Sequence, residues 1–174
     1  MKLNLLAVGN KMSAWVNDGY QEYAKRFPKD CQLTLQEISP AKRGKSGSPT
    51  QWMQEEGKRI LSAIPRDHHV VSLEVEGKPW STEQLAQQMQ SWLTDGRDVS
   101  LLVGGPDGLA QQCRERADQK WSLSALTLPH PIVRVVLAEQ LYRAWTVLQN
   151  HPYHRALIFL KCISLQIRRD AVNC

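Results

Sequence analysis

The segment from Val99 to Gly108 constrains the fold of this chain more than any other. Val99-Ser100-Leu101-Leu102-Val103 is a short, nearly continuous apolar run that breaks at once into Gly104-Gly105-Pro106-Asp107-Gly108. A strand of this composition is buried on both faces, which puts it inside a parallel sheet with helices above and below. The glycines after it let the backbone approach a ligand closely. A second stretch follows soon after, Leu123-Ser124-Ala125-Leu126-Thr127-Leu128-Pro129-His130-Pro131, a polar-apolar run closed by two prolines. Paired loops of this kind, each placed after a strand, are how an α/β protein builds a pocket for a nucleotide-like ligand.

The rest of the chain alternates in the same way. Strands are predicted at residues 2–8, 33–38, 69–73, 99–103 and 123–126. A first helix is predicted after a Ser13 cap, with Val16, Tyr20, Tyr23, Ala24 and Phe27 at near-helical spacing and Pro28 as its stop. A second spans 50–63. A third opens on the capping box Ser81 and Gln84, carries Leu85, Met89, Trp92 and Leu93, and ends at Gly96. A short helix at 110–119 and a long one after Pro131 complete the pattern, the last presenting Val133, Val136, Leu137, Leu141, Ala144, Trp145 and Leu148. Alternation of this kind calls for a mostly parallel, doubly wound sheet.

Composition sets the remaining bounds. The chain has 174 residues, of which 42% are hydrophobic, enough for one domain with a substantial core. No apolar run approaches the ~20 residues of a membrane helix. The opening residues lack a basic leader and a cleavage site, so they read as a strand and not as a signal peptide. Cys31, Cys113, Cys162 and Cys174 are scattered with no CxxC pair, which fits isolated thiols in a reducing cytoplasm and neither a zinc site nor a disulfide framework.

The net charge of +5 is concentrated. Lys42, Arg43 and Lys45 lie between Pro40 and Pro49 without an acid, and Lys161, Arg168 and Arg169 stand against Asp170 near the end, leaving the rest of the chain neutral. A basic Gly/Ser/Pro loop on a neutral body suits a mobile arm that touches phosphates, and equally a solvated surface loop.

The glycine-rich turn excludes several ligand classes. Gly104-Gly105-Pro106-Asp107-Gly108 is not G-x-G-x-x-G, and it follows the fourth strand. Neither a P-loop Gly-Lys-Ser/Thr nor a G-x-S-x-G elbow is present. Asp107 would repel a phosphate and tolerate a cation, and a sulfonium is a cation.

At this point a resemblance enters. The start from Lys2 to Gly9, Arg26-Phe27-Pro28-Lys29-Asp30, Lys42-Arg43-Gly44-Lys45, Gly77-Lys78-Pro79-Trp80 and Asp95-Gly96-Arg97-Asp98-Val99-Ser100 resemble the SPOUT superfamily of S-adenosylmethionine-dependent RNA methyltransferases. So do Gly104-Gly105-Pro106, the block from Trp121 to Pro131, then Arg134, Glu139, Leu141-Tyr142-Arg143-Ala144 and Asn150-His151-Pro152-Tyr153-His154-Arg155. Within the superfamily, the chain is most similar to members that methylate N3 of a pseudouridine in 23S ribosomal RNA of assembled ribosomes. The matching pieces run in order through residues 1–155, which implies one domain, with 156–174 as an extension outside the family pattern.

The resemblance implies an α/β fold, a mostly parallel sheet flanked by helices, whose C-terminal part is threaded into a deep trefoil knot, an exception to unknotted topology. It implies a homodimer with the active site at the subunit interface, so that Leu141, Trp145 and Leu148 suit both core packing and dimer contact. It implies S-adenosylmethionine as cofactor, held by Leu73, Gly104, Gly105, Leu123, Ser124, Ala125, Leu126, Thr127 and Leu128. His154, with Tyr153 and Arg155 beside it, becomes the catalytic group, and Lys42, Arg43, Lys45, Arg134 and Arg143 become the RNA contacts. His130 reads as structural. No metal and no membrane are expected, the partners are the ribosome and its 23S RNA, and the compartment is the cytoplasm. A non-catalytic ribosome-binding relative and a knotted methyltransferase acting on transfer RNA remain as alternatives.

Overall fold

A computed structural model describes residues 1–44 and 47–155, apart from the side chains of His154 and Arg155. The extension at 156–174, with Cys162 and Cys174, lies outside the described residues, as does Lys45. The elements in chain order are β1 (Lys2–Val8), α1 (Ala14–Ala24), β2 (Gln32–Ile38), α2 (Pro49–Ala63), β3 (His69–Pro79) and α3 (Thr82–Asp95). They continue with β4 (Val99–Val103), α4 (Gln111–Arg116), β5 (Gln119–Ser122), α5 (His130–Leu148) and a closing 3-10 turn at Pro152–Arg155.

The five strands form one sheet in the order β2-β1-β4-β3-β5, and every neighbouring pair is parallel. All five residues of β4 are buried, as its composition requires for a strand flanked by β1 and β3. Side chains alternate across the pleat, so β1, β3 and β4 each feed two cores. Leu3, Leu5, Ala7, Leu101 and Val103 pack with Tyr20, Met89, Trp92, Leu137 and Leu141 beneath α1, α3 and α5. Leu6, Val8 and Leu102 pack with Ile60, Leu109 and Cys113 beneath α2 and α4. Cys31 and Cys113 are buried free thiols whose pKa burial pushes up to about 11, which suits core packing over reactivity.

Helix ends follow local chemistry. Ser81 accepts from the Gln84 amide while the Gln84 side chain accepts from the Ser81 amide, and Gly96 ends α3 in the left-handed region at φ 79°. Ser48 and Gln51 build a second capping box at α2. Ser13, by contrast, makes no side-chain cap on α1, and that helix ends at Ala24, before Pro28.

The fifth strand departs from expectation. It occupies Gln119–Ser122, ahead of the predicted 123–126. Trp121 is its core residue, paired to Leu73 and stacked on Trp80 at a centroid separation of 5.1 Å. The leucines after it leave the sheet, and Leu126 is 74% exposed. β3 runs longer than predicted because its register on β5 shifts between Leu73 and Lys78. α5 starts at His130, with Pro131 in its first turn where a missing N–H is harmless.

Candidate active site

At the carboxyl ends of β4 and β5, beside the middle of β3, the sheet opens into a cavity of about 940 Å³. That is where ligands of open α/β sheets bind. Its walls are residues 73–76 in the middle of β3, 103–109 from the end of β4 onward, Arg114 of α4, Ser122 at the end of β5, Leu123, Ser124 and 126–131 leading into α5, and Val133. The candidate cofactor residues Leu73, Gly104, Gly105, Leu123, Ser124, Leu126, Thr127 and Leu128 all line it, whereas Ala125 does not.

The turn after β4 is built by its own residues. Gly108 N–H donates to the Gly105 carbonyl at 3.0 Å, with Pro106 second in the turn and Gly108 at φ 90°. A Cβ on Gly104 would collide with the Gly108 backbone, and one on Gly105 would lie 2.9 Å from Glu56 Oε2 and 3.1 Å from Val8 Cγ1. Backbone therefore forms this part of the wall. In the second loop the Leu126 amide donates to Ser124 Oγ at 2.9 Å and Ser122 Oγ donates to the Ser124 carbonyl at 3.0 Å, so these hydroxyls are used in shaping the loop.

Charge on the wall is mainly acidic, from Glu74, Glu76 and Asp107, and the first and last of these are ion-paired. Glu74 accepts from Ser72 Oγ at 2.5 Å and faces Arg114 at 3.3 Å. Asp107 pairs with Arg43 at 2.6 Å, and the Arg43 guanidinium lies over the Trp52 ring, 5.1 Å from its centroid. Burial lowers the pKa of His130, with Arg134 adding to the effect and Glu56 opposing it, so the imidazole is held neutral.

The start of the basic loop is held by α2. Arg59 of α2 donates to the carbonyls of Ser39 and Pro40 at 2.6 and 2.8 Å, and buried Glu56 accepts from the Ala41 amide at 3.0 Å. Residues 39–43 are thus tied to α2 and, through Arg43, to the cavity wall. Lys42 is exposed beside them.

Arg134 requires a correction. It was expected to face RNA, yet its side chain is 0% exposed. Its guanidinium pairs with Glu37 at 2.7 Å and donates to the Gly9 carbonyl at 2.8 Å. A phosphate has no access to it, and its role is to anchor α5 to the ends of β1 and β2.

Arg143 and Glu139 instead hold the terminal motif. Tyr153 donates to Glu139 Oε1 at 3.1 Å, Arg143 bonds the same carboxylate, and the Arg143 guanidinium sits 5.0 Å from the Tyr153 ring centroid. Burial, then the Glu139 charge, pushes the Tyr153 pKa up to about 12. None of these three residues lines the cavity. The candidates His154 and Arg155 belong to the same 3-10 turn, but their side chains lie outside the described residues. Sequence reasoning missed Glu74, Arg114 and Glu56 at this site, none of which carries a local motif.

Fold and site define an α/β protein with a ligand cavity at the carboxyl edge of a parallel sheet. Comparison with known proteins narrows the class. The model of the family described as "Predicted SPOUT methyltransferase" matches residues 1–154. The chain is 56% identical over 155 residues to the ribosomal RNA large subunit methyltransferase H of Methylococcus capsulatus (strain ATCC 33009 / NCIMB 11132 / Bath), covering 89% of this chain and 100% of that protein. It is 60% identical over 155 residues to the protein of the same name from Hahella chejuensis (strain KCTC 2396), covering 89% and 99% respectively. The chain belongs to the SPOUT methyltransferase family.

Proposed function

We propose that this protein is an S-adenosylmethionine-dependent methyltransferase acting on N3 of a pseudouridine in the 23S RNA of assembled ribosomes. The observation that carries the reading is convergence. Leu73, the Gly104-Gly105 turn and the 123–128 loop come from separate parts of the chain and meet on one cavity. The residues present suit the cofactor: leucines for an adenine face, backbone at the glycine turn for close approach, and Glu74 and Asp107 for a positive charge.

When bound by the 73–76, 104–109 and 123–128 walls, the cofactor would supply a methyl carbon activated by its sulfonium. The chain's residues position the partners and handle the proton. We assign removal of the N3 proton to His154, as general base. Tyr153, with its pKa near 12, stays protonated and acts as a hydrogen-bond donor. Lys42 and Arg43, with Lys45 and Arg143, contact RNA phosphates.

A homodimer completes this reading, the terminal motif of one copy facing the cavity of the other. It is supported by the position of Tyr153, Glu139 and Arg143 off their own cavity wall and by exposed Val75 and Leu126 on the wall. The trefoil knot belongs to the same reading, with β4, the 123–131 loop and α5 as the threaded segments. The cytoplasm, where ribosomes are found, is the proposed compartment. Among the described residues no helix is long and apolar enough to cross a membrane.

The test is mass spectrometry of RNA from ribosomes incubated with the protein and isotope-labelled S-adenosylmethionine. Label on a pseudouridine of 23S RNA is expected. Label on transfer RNA alone, or none, overturns the assignment.

A further inference from the structure

Of the three carboxylates on the cavity wall, Glu74, Glu76 and Asp107, two are ion-paired, in different ways. Glu74 is compensated from within the wall by Arg114 and accepts a hydrogen bond from buried Ser72. Asp107 draws its partner from the basic loop, where Arg43 joins it at 2.6 Å while resting on Trp52. Both members of this pair keep solvent access, the Arg43 side chain being 38% exposed and that of Asp107 23%. The cation that quenches Asp107 therefore sits on the loop best suited to meet a polyanion.

We propose that Arg43 is shared between Asp107 and an RNA phosphate, and that its transfer to RNA makes the cavity selective for the cationic cofactor over its neutral product. This rests on the reading of the cavity as an S-adenosylmethionine site. A guanidinium bonds phosphate oxygens bidentately and stays charged, and the RNA field favours the exchange. Once Arg43 turns away, Asp107 faces the cavity with an uncompensated charge. A sulfonium in the cavity gains from that charge, whereas the thioether of S-adenosylhomocysteine does not. Linkage makes the effect reciprocal: RNA binds the S-adenosylmethionine-loaded protein more tightly than the product-loaded one, which favours release after transfer.

Calorimetry on the full-length protein tests this through the ratio of S-adenosylmethionine to S-adenosylhomocysteine affinity. A folding defect lowers both affinities together and leaves the ratio alone. Arg43→Ala, which mimics loss of the arginine to RNA, should raise the ratio by roughly fivefold, the scale of one partly exposed charge. Adding Asp107→Asn to that variant should remove the gain. Large ribosomal subunits should raise the wild-type ratio by a similar factor and leave that of Asp107→Asn unchanged. An unchanged ratio in Arg43→Ala, or a gain that survives Asp107→Asn, overturns the proposal. If the wild type binds neither compound, the cofactor reading itself fails, a result distinct from either of these.

Discussion

Arg134, in the first turns of α5, reaches Glu37 near the end of β2 at 2.7 Å while donating to the Gly9 carbonyl beyond β1. One side chain thus fixes the last helix to the two strands at that side of the sheet. Glu37 keeps solvent access, so removing the buried guanidinium chiefly leaves the Gly9 carbonyl without its donor. Arg134→Met should lower stability by about 2 kcal/mol, seen as a lower urea midpoint. The dependence of ribosome affinity on salt should not change, because this guanidinium reaches no phosphate. A shallower salt slope would return Arg134 to the RNA contacts.

Gly104 and Gly105 adjoin in sequence but tolerate a methyl group differently. On Gly104 it meets the backbone of Gly108, which is fixed by the turn. On Gly105 it meets the Glu56 carboxylate and a Val8 methyl. Gly104→Ala should therefore weaken S-adenosylmethionine binding by tenfold or more, about 1.4 kcal/mol or above. Gly105→Ala should have the smaller effect, since a side-chain end shifts more easily than a turn. Calorimetric titration of both variants checks the order, and the reverse order would contradict this account of the wall.

How much of this was legible in the sequence varies by element. β1 and β4 stand at the predicted bounds because their burial is written in continuous apolar runs. The Ser81–Gln84 box and Gly96 are local signals and held. β5 was misplaced because the leucines at 123–128 alternate with polar residues like a strand, although their alternation lines a cavity; the pleat belongs to Trp121. Arg134 and Arg143 are the same residue type on one helix, and both are expected at the RNA. At 3.6 residues per turn, however, Arg134 and Arg143 lie half a turn apart and only Glu139 and Arg143 are neighbours. Glu56 gave no signal, since nothing local distinguishes it from exposed Glu55. Its burial is decided by the Ala41 amide and Gly105, both distant in sequence.

His130 makes acid stability testable. Its pKa is lowered from 6.5 by burial and by Arg134. The unfolded chain therefore takes up a proton at a pH where the folded protein does not, and stability rises with pH through that interval. The contribution is present above 6.5 and is lost as pH falls through the lower folded value. His130→Gln should flatten the acid side of a plot of unfolding free energy against pH. A variant as acid-sensitive as the wild type would place the titrating group elsewhere.

Tyr153 separates the donor from the base in the terminal motif. Its phenol donates to Glu139 and its pKa is pushed up to about 12 by burial and that neighbouring charge. A raised folded pKa means a contribution fully present below 10 and lost as pH rises toward about 12, so between pH 6 and 9 the group does not titrate. Tyr153→Phe should lower stability by about 1 kcal/mol for the lost hydrogen bond. It should also lower kcat for ribosome methylation while leaving the shape of the pH profile intact. His154→Ala should abolish the rise of rate with pH, as expected when the base is removed. Rates of methyl transfer to ribosomes across that range read both variants. A profile altered by Tyr153→Phe and preserved in His154→Ala would exchange the two roles.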